Sequence, residues 1–151
     1  GLSPGLRRDS EHMQGEHNQL LQRLGELDAA LDALVCYAEV YADLGSAAQV
    51  SQTGRWLTEW LPNHFSREEK TVLAAIARLR PDLAAFAREM KRQHKEISER
   101  LKEFCQATEQ LQRCDDLEQS ICALKEKGKD LTRFMSMHMG AEERKLSGLT
   151  G

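Results

Sequence analysis

Chain breakers are scarce in this sequence, with three prolines and ten glycines among 151 residues. Hairpin dipeptides and β-branched runs are missing as well, which argues against a sheet. No apolar stretch approaches the roughly 18 residues of a bilayer span, and the N-terminus lacks the hydrophobic segment of a signal peptide. The chain begins at Gly1 rather than Met, as a trimmed protein or a domain cut from a longer one would. No single charge dominates: 21 basic against 24 acidic residues leave −3, giving no electrostatic reason to expect nucleic acid or a membrane as partner. Cys36, Cys105, Cys114 and Cys122 form no Cys-x-x-Cys pair and make no disulfide framework, and they read as reduced thiols of a cytoplasmic protein. Linkers and low-complexity tracts are absent. Residues 1–151 therefore read as a single domain, with about 1–9 as a flexible lead-in and enough chain to bury a substantial core.

What the chain does have is apolar residues at helical spacing throughout. One face gathers His17, Leu20, Leu21, Leu24, Leu27, Leu31, Leu34, Val35, Ala38 and Tyr41, with Asp9 or Ser10 as its cap and Gly45 as its end. A second gathers Leu57, Trp60, Leu61, His64, Glu68, Val72, Ala75, Ile76 and Leu79, and Pro62 predicts a kink or short break just before the histidine. "RLRPDL" at 78–83 predicts a tight turn, with Pro81 opening a third helix that carries Leu83, Phe86, Met90, His94, Ile97, Leu101, Phe104 and Leu111. "RCDDLEQS" at 113–120 supplies acidic caps for a fourth, carrying Leu117, Ile121, Leu124, Leu131, Met135, His138, Glu142 and Leu146. Four long helices joined by short links predict an all-α, up-down-up-down antiparallel four-helix bundle.

Histidines interrupt these oily stripes in a pattern. "NHFSREEK" at 63–70 returns in altered form as "MHMGAEER" at 137–144, each with a histidine followed by two glutamates at the fourth and fifth positions. The odd and even segments repeat one plan: His17 alone, His64 with Glu68, His94 alone, His138 with Glu142. Residues four apart share a helix face, so each His-x-x-x-Glu pair can reach one point in the core. Two buried carboxylates need compensating cations, and no lysine or arginine shares their stripe, since Arg67, Lys70, Arg144 and Lys145 fall largely on other faces. A buried, hydrogen-bonded histidine is the commoner use of such a residue, and a lone His-x-x-x-Glu is weak evidence. The conjunction of one inward histidine per helix with carboxylates on alternate helices favours a metal pair. Imidazole and carboxylate together suit iron, manganese or zinc.

The same residues resemble the hemerythrin-like, or HHE cation-binding, family. "MQGEHNQLLQRL" is similar to its opening Glu-His motif, "LPNHFSREEKTVL" to its His-Phe-x-x-Glu-Glu motif, and "KRQHKEISERL" and "SMHMGAEERKL" to the counterparts on the last two helices. The resemblance implies a non-haem di-iron centre with His17, His64, His94 and His138 as terminal ligands. Glu68 and Glu142 would bridge the two irons beside an oxo or hydroxo group. Glu69 and Glu143 would stand outside the metal shell or in solvent. Oxygen-carrying members have a histidine where this chain has Met90, a poor ligand for ferric iron, and that leaves about two coordination positions open rather than one. Gln93 stands where related iron-centre repair proteins have a glutamate, which weakens an iron-release reading. His12 lies on another face and reads as solvated, while Trp60, Phe86 and Phe134 would line the apolar surroundings. The ferritin-like alternative expects Glu-x-x-His, which none of the five histidines provides.

The resulting expectation is a protein that binds iron and binds or senses dioxygen, nitric oxide or iron itself, with no catalytic residues assigned and a protein partner allowed. One alternative is a di-iron oxidoreductase of the peroxidase or nitric-oxide reductase type. Another is a metal-responsive regulatory interaction module.

Overall fold

The computed structural model describes residues 3–34, 44–111, 113 and 116–150. Among them all regular structure is helical: α1 (Pro4–Ala33), α2 (Leu44–Glu68), a π-helical turn (Glu69–Leu73), α3 (Ala74–Leu79), a 3-10 turn (Pro81–Leu83), α4 (Ala84–Leu111) and α5 (Leu117–Thr150). Because α2, the π turn and α3 are continuous, the chain makes four long helical rods, as in a four-helix bundle. No described helix is long and apolar enough to cross a membrane.

Helix α1 starts earlier than its apolar stripe suggests. Ser3, not Asp9 or Ser10, is the N-cap, its hydroxyl accepting from the Leu6 amide at 3.2 Å, with Pro4 preset for the first turn. Leu6 and Met13 carry the buried face back to that cap. The expected lead-in is thus helical from residue 4 onward. Gly45 falls inside the first turn of α2 rather than ending α1, while Val35, Ala38 and Tyr41 lie outside the described residues.

Pro62 does not break α2. It sits on the exposed side, where the lost backbone hydrogen bond is offset by the buried Leu57, Leu61 and Phe65 beside it. The irregularity comes after the glutamate instead, as the wide turn of Glu69–Leu73. The 78–83 turn forms as expected. Arg80 is extended ahead of Pro81 and clamps Asp82 with two hydrogen bonds of 2.9 and 2.8 Å. Asp116 caps α5 by accepting from the Gln119 amide at 3.1 Å.

Cross-rod pairs fix the neighbours. Asp28 accepts from Thr132, and the Leu34 carbonyl accepts from Lys125. Arg100 pairs with Asp130 and Lys127 with Glu103. Arg23 lies over Trp56, while Arg67 reaches His12, and Cys105 lies against Gly54. Between α1 and α5, α4 and α5, and α1 and α2, numbers rise along one rod as they fall along the other. The main core joins Leu20, Leu27, Leu31, Leu57, Ile97, Phe104, Leu124 and Leu131 from all four rods. Leu21 and Leu79, placed on inward stripes by spacing, are 42% and 50% exposed, so the real contact faces are narrower than the sequence stripe.

Rods α1 and α5 pack tightly at Gly128, where an added Cβ would lie 2.5 Å from Leu31 Cδ1. Leu31 is fully buried and has nowhere to retreat. Gly128→Val is therefore expected to lower the unfolding free energy by about 1–3 kcal/mol through overpacking. Gly15→Ala, with open space around its Cβ, should instead raise it by up to about 1 kcal/mol through helix propensity. Urea melts of the two chelated proteins should move in opposite directions.

Candidate metal centre

Six polar side chains from all four rods meet inside the bundle. His17, His64, Glu68, His94, His138 and Glu142 are each no more than 3% exposed. α1 contributes His17 and α4 contributes His94. The i, i+4 spacing within α2 and α5 aims the other two pairs at the same region. Arg67, Lys70, Arg144 and Lys145 are all exposed, so none neutralises the buried acids.

Each imidazole turns the same atom inward. Glu68 Oε2 lies 3.3 Å from His17 Nε2 and 3.0 Å from His64 Nε2, and its Oε1 lies 3.2 Å from His94 Nε2. His138 Nε2 lies 2.8 Å from Glu142 Oε1, which is also 3.7 Å from His17 Nε2. Two donor groups result, each with its ligating atoms within 4.8 Å of one another: Glu68, His94, His138 and Glu142 in one, His17, His64 and Glu68 in the other. Glu68 belongs to both.

The outward nitrogens face a ring of acceptors. His17 Nδ1 lies 3.3 Å from Glu143 Oε1, and His94 Nδ1 lies 3.0 Å from Glu69 Oε2. His138 Nδ1 lies 2.7 Å from Gln93 Oε1, whereas His64 Nδ1, with Glu16 Oε1 3.5 Å away, makes no hydrogen bond. An acceptor at Nδ1 selects the tautomer that leaves the Nε2 lone pair free. Glu69 follows the inward Glu68 by one residue and so turns off that face toward the neighbouring rod, where it reaches His94.

The electrostatics of the protein alone are poorly balanced. Burial works against a charge on Glu68, but the interactions with Glu142, His17, His64 and His94 outweigh it and hold this carboxyl well below its usual range. Burial, together with the neighbouring Glu68 carboxyl and its negative charge, pushes Glu142 well above its own. Burial, followed by the charge of His94, lowers His138 to about 3, so its ring stays neutral. His138 Nε2 and both Glu142 oxygens are fully buried with no hydrogen-bond partner, although Nε2 and Oε1 are only 2.8 Å apart. Close, misaligned and unsatisfied, these atoms have the character of donors awaiting a cation. Neutral imidazoles and carboxylates are the ligand chemistry of iron, manganese or zinc. The residues present therefore fit a metal pair.

A family model, the hemerythrin HHE cation binding domain, matches residues 8–149. The chain belongs to that family. Cation binding follows from the family, and the buried histidine and glutamate cluster fits it. Comparison with curated proteins and with solved structures gives no match.

The surroundings of the hemerythrin-type cluster differ in part from expectation. Trp60 stacks on His64 with centroids 4.9 Å apart, whereas Phe134 lies under Arg100, and Phe86 packs with Leu73, Ala87 and Met90. The ring pressed hardest on the site is Phe65, stacked on His94 at 4.0 Å and edge-on to His138 at 6.3 Å. Spacing hid it, because it adjoins His64 and falls beside the stripe. Glu16 and Gln93 were missed as neighbours of the outer ring nitrogens, though a signal was present: each immediately precedes a lone histidine. His12 is 57% exposed in its side chain and accepts from Arg67 at 2.8 Å, with Glu16 3.3 Å away. Met90 is buried in an apolar cluster. A cleft of about 480 Å³ lined by Pro62, Phe65, Glu69, Lys91, His94 and Lys95 opens next to His94.

Proposed function

We propose that this hemerythrin domain holds two iron ions in an up-down-up-down antiparallel bundle and uses them to bind or sense a small diatomic ligand, dioxygen or nitric oxide, or iron itself. His17 and His64 would serve one ion and His94 and His138 the other, with Glu68 and Glu142 between them. The observation that carries the reading is the shared orientation of the four imidazoles, Nε2 inward to two buried carboxylates, with Nδ1 of His17, His94 and His138 outward to an acceptor. Opposed numbering in the cross-rod pairs supports the topology. Two free thiols, Cys105 and Cys122, accord with a reducing compartment such as the cytoplasm.

When bound, a ferrous pair supplies electrons to a small oxidising ligand. The protein's part is positional. Glu69, Glu143 and Gln93 keep Nδ1 protonated and the rings oriented, and Trp60 and Phe65 hold His64 and His94 from the side. The leucine-rich core excludes bulk water, and the cleft at His94 gives small molecules an approach.

Iron loading followed by metal analysis and near-ultraviolet spectroscopy tests this directly. Two irons per chain with a charge-transfer band that responds to azide or nitric oxide is the expected result. Less than one iron, or a spectrum indifferent to both ligands, would remove the proposal. Rapid peroxide or nitric oxide turnover with an electron donor would move the reading to an oxidoreductase. His64→Ala and His138→Ala should each lose at least one metal. His12→Ala should lose none, its ring being outside the cluster.

A further inference from the structure

The ring of acceptors obeys an internal two-fold repeat that is broken at one position. Behind each lone histidine stands the glutamate following the adjacent rod's His-x-x-x-Glu, namely Glu69 for His94 and Glu143 for His17. Behind each His-x-x-x-Glu histidine stands the residue preceding a lone histidine, namely Glu16 for His64 and Gln93 for His138. The four places are thus filled by three carboxylates and one amide, with Glu16, at 3.5 Å, making no hydrogen bond to its ring. The amide is not a loose substitute. Gln93 is 8% exposed, accepts from His138 Nδ1 at 2.7 Å, the shortest of the four contacts, and donates its own Nε2 to Glu89 at 3.3 Å. Glu89 in turn is held by Arg92 through contacts of 2.7 to 3.1 Å, which fixes the amide's orientation.

A carboxylate behind an imidazole withdraws the Nδ1 proton toward itself and makes Nε2 a stronger donor, whereas a neutral amide orients the ring without adding charge. We infer that Gln93 is a positioning residue that makes the two halves of the centre inequivalent, leaving His138 a weaker imidazole donor than the carboxylate-backed His17 and His94. The inference rests on the proposed metal site and deepens it. Its consequence is that a sequence related by repeat to itself, and built from matched ligands, presents two metal positions of different electron density.

The test isolates each half. In a His64→Ala background the half containing His94, His138 and Glu142 remains; in a His138→Ala background the half containing His17 and His64 remains. Cobalt(II) and zinc(II) affinities are measured by competition with a chelator, and the cobalt ligand-field spectrum is recorded. Adding Gln93→Glu to the His64→Ala protein should tighten binding by about tenfold and shift the cobalt bands, while the same change in the His138→Ala protein should alter affinity less than about twofold. Should Gln93→Glu fail to fold beside Glu89, Gln93→Met serves in its place: it keeps the bulk, removes the acceptor, and should loosen binding about tenfold in the His64→Ala background alone. Unchanged affinity and spectrum in that background, or equal changes in both, overturn the role of Gln93 while leaving the metal site standing. Absence of cobalt binding in either background and in the unmodified protein would overturn the site itself.

Discussion

Glu68→Ala is expected to empty the centre, lowering metal affinity by more than about 100-fold at both positions, a larger loss than any outer residue should cause. The reason lies in connectivity. Glu68 is common to the two donor groups, and its two oxygens face three imidazoles from three different rods. Glu142 is shared less evenly, close to His138 at 2.8 Å but 3.7 Å from His17. Glu142→Ala should therefore strip mainly the half containing His94 and His138. Glu68→Gln, which preserves volume and removes charge, distinguishes ligation from packing. It should lose metal like the alanine variant, and its chelated form should melt lower than the chelated parent near neutral pH, because the imidazole contacts that favour the charged Glu68 carboxylate are weakened. Metal-to-protein ratios after gel filtration, set beside circular-dichroism melts, give both answers. Retention of a full metal complement by Glu68→Gln would contradict the bridging role.

The second large effect is a pH-dependent gain in stability on metal binding. A ligand that binds only the folded chain stabilises it by about 4 kcal/mol at a thousandfold excess over its dissociation constant, and two such ions shift the melting temperature by about 15–30 °C for a domain of this size. The metal-free baseline against which this is read should itself be domed. His138 is lowered to about 3 by burial and then by the charge of His94. Its folded value lies below the unfolded 6.5, so the unfolded chain takes up the proton first, and stability falls as pH drops from 6.5 toward 3. Glu68, held low against its own burial by its hydrogen bonds, acts in the same direction, losing stability below the unfolded 4.5. Glu142 acts oppositely. Its folded value is raised by burial and by Glu68, so its favourable contribution is present below 4.5 and disappears as pH rises through the raised value. Cations supply the missing positive charge and should abolish that alkaline decline. Urea melts between pH 5 and 9, with and without chelator, should diverge as pH increases. Parallel curves would mean that no cation compensates Glu142.

Much of the fold was legible in the sequence because its signals are local. Helical periodicity, the turn at Pro81 and the cap at Asp116 depend on residues within one or two turns of each other. Errors arose where the local signal was ambiguous. Ser3 and Ser10 are equally good caps on paper, and Leu6 and Met13, too sparse to extend the stripe by inspection, decide for Ser3. Pro62 promised an interruption, yet the packing of Leu57, Leu61 and Phe65 carries the helix through it, and the wide turn falls seven residues later. Nothing in "EKTVL" marks a π turn by composition.

The inward histidines and glutamates were nameable from their spacing, since residues four apart on an apolar stripe share one helix face. The partners of their outer nitrogens were not. Glu16 reaches His64 and Gln93 reaches His138 across rods separated by more than forty residues of chain. Such pairings depend on how far one helix slides along another, a quantity set by the whole interface, including the close approach at Gly128. Periodicity within each segment settled which side chains enter the core. Only the relative register of the rods determined that Nε2 of all four rings meets the carboxylates while Nδ1 of His17, His94 and His138 meets two acids and one amide.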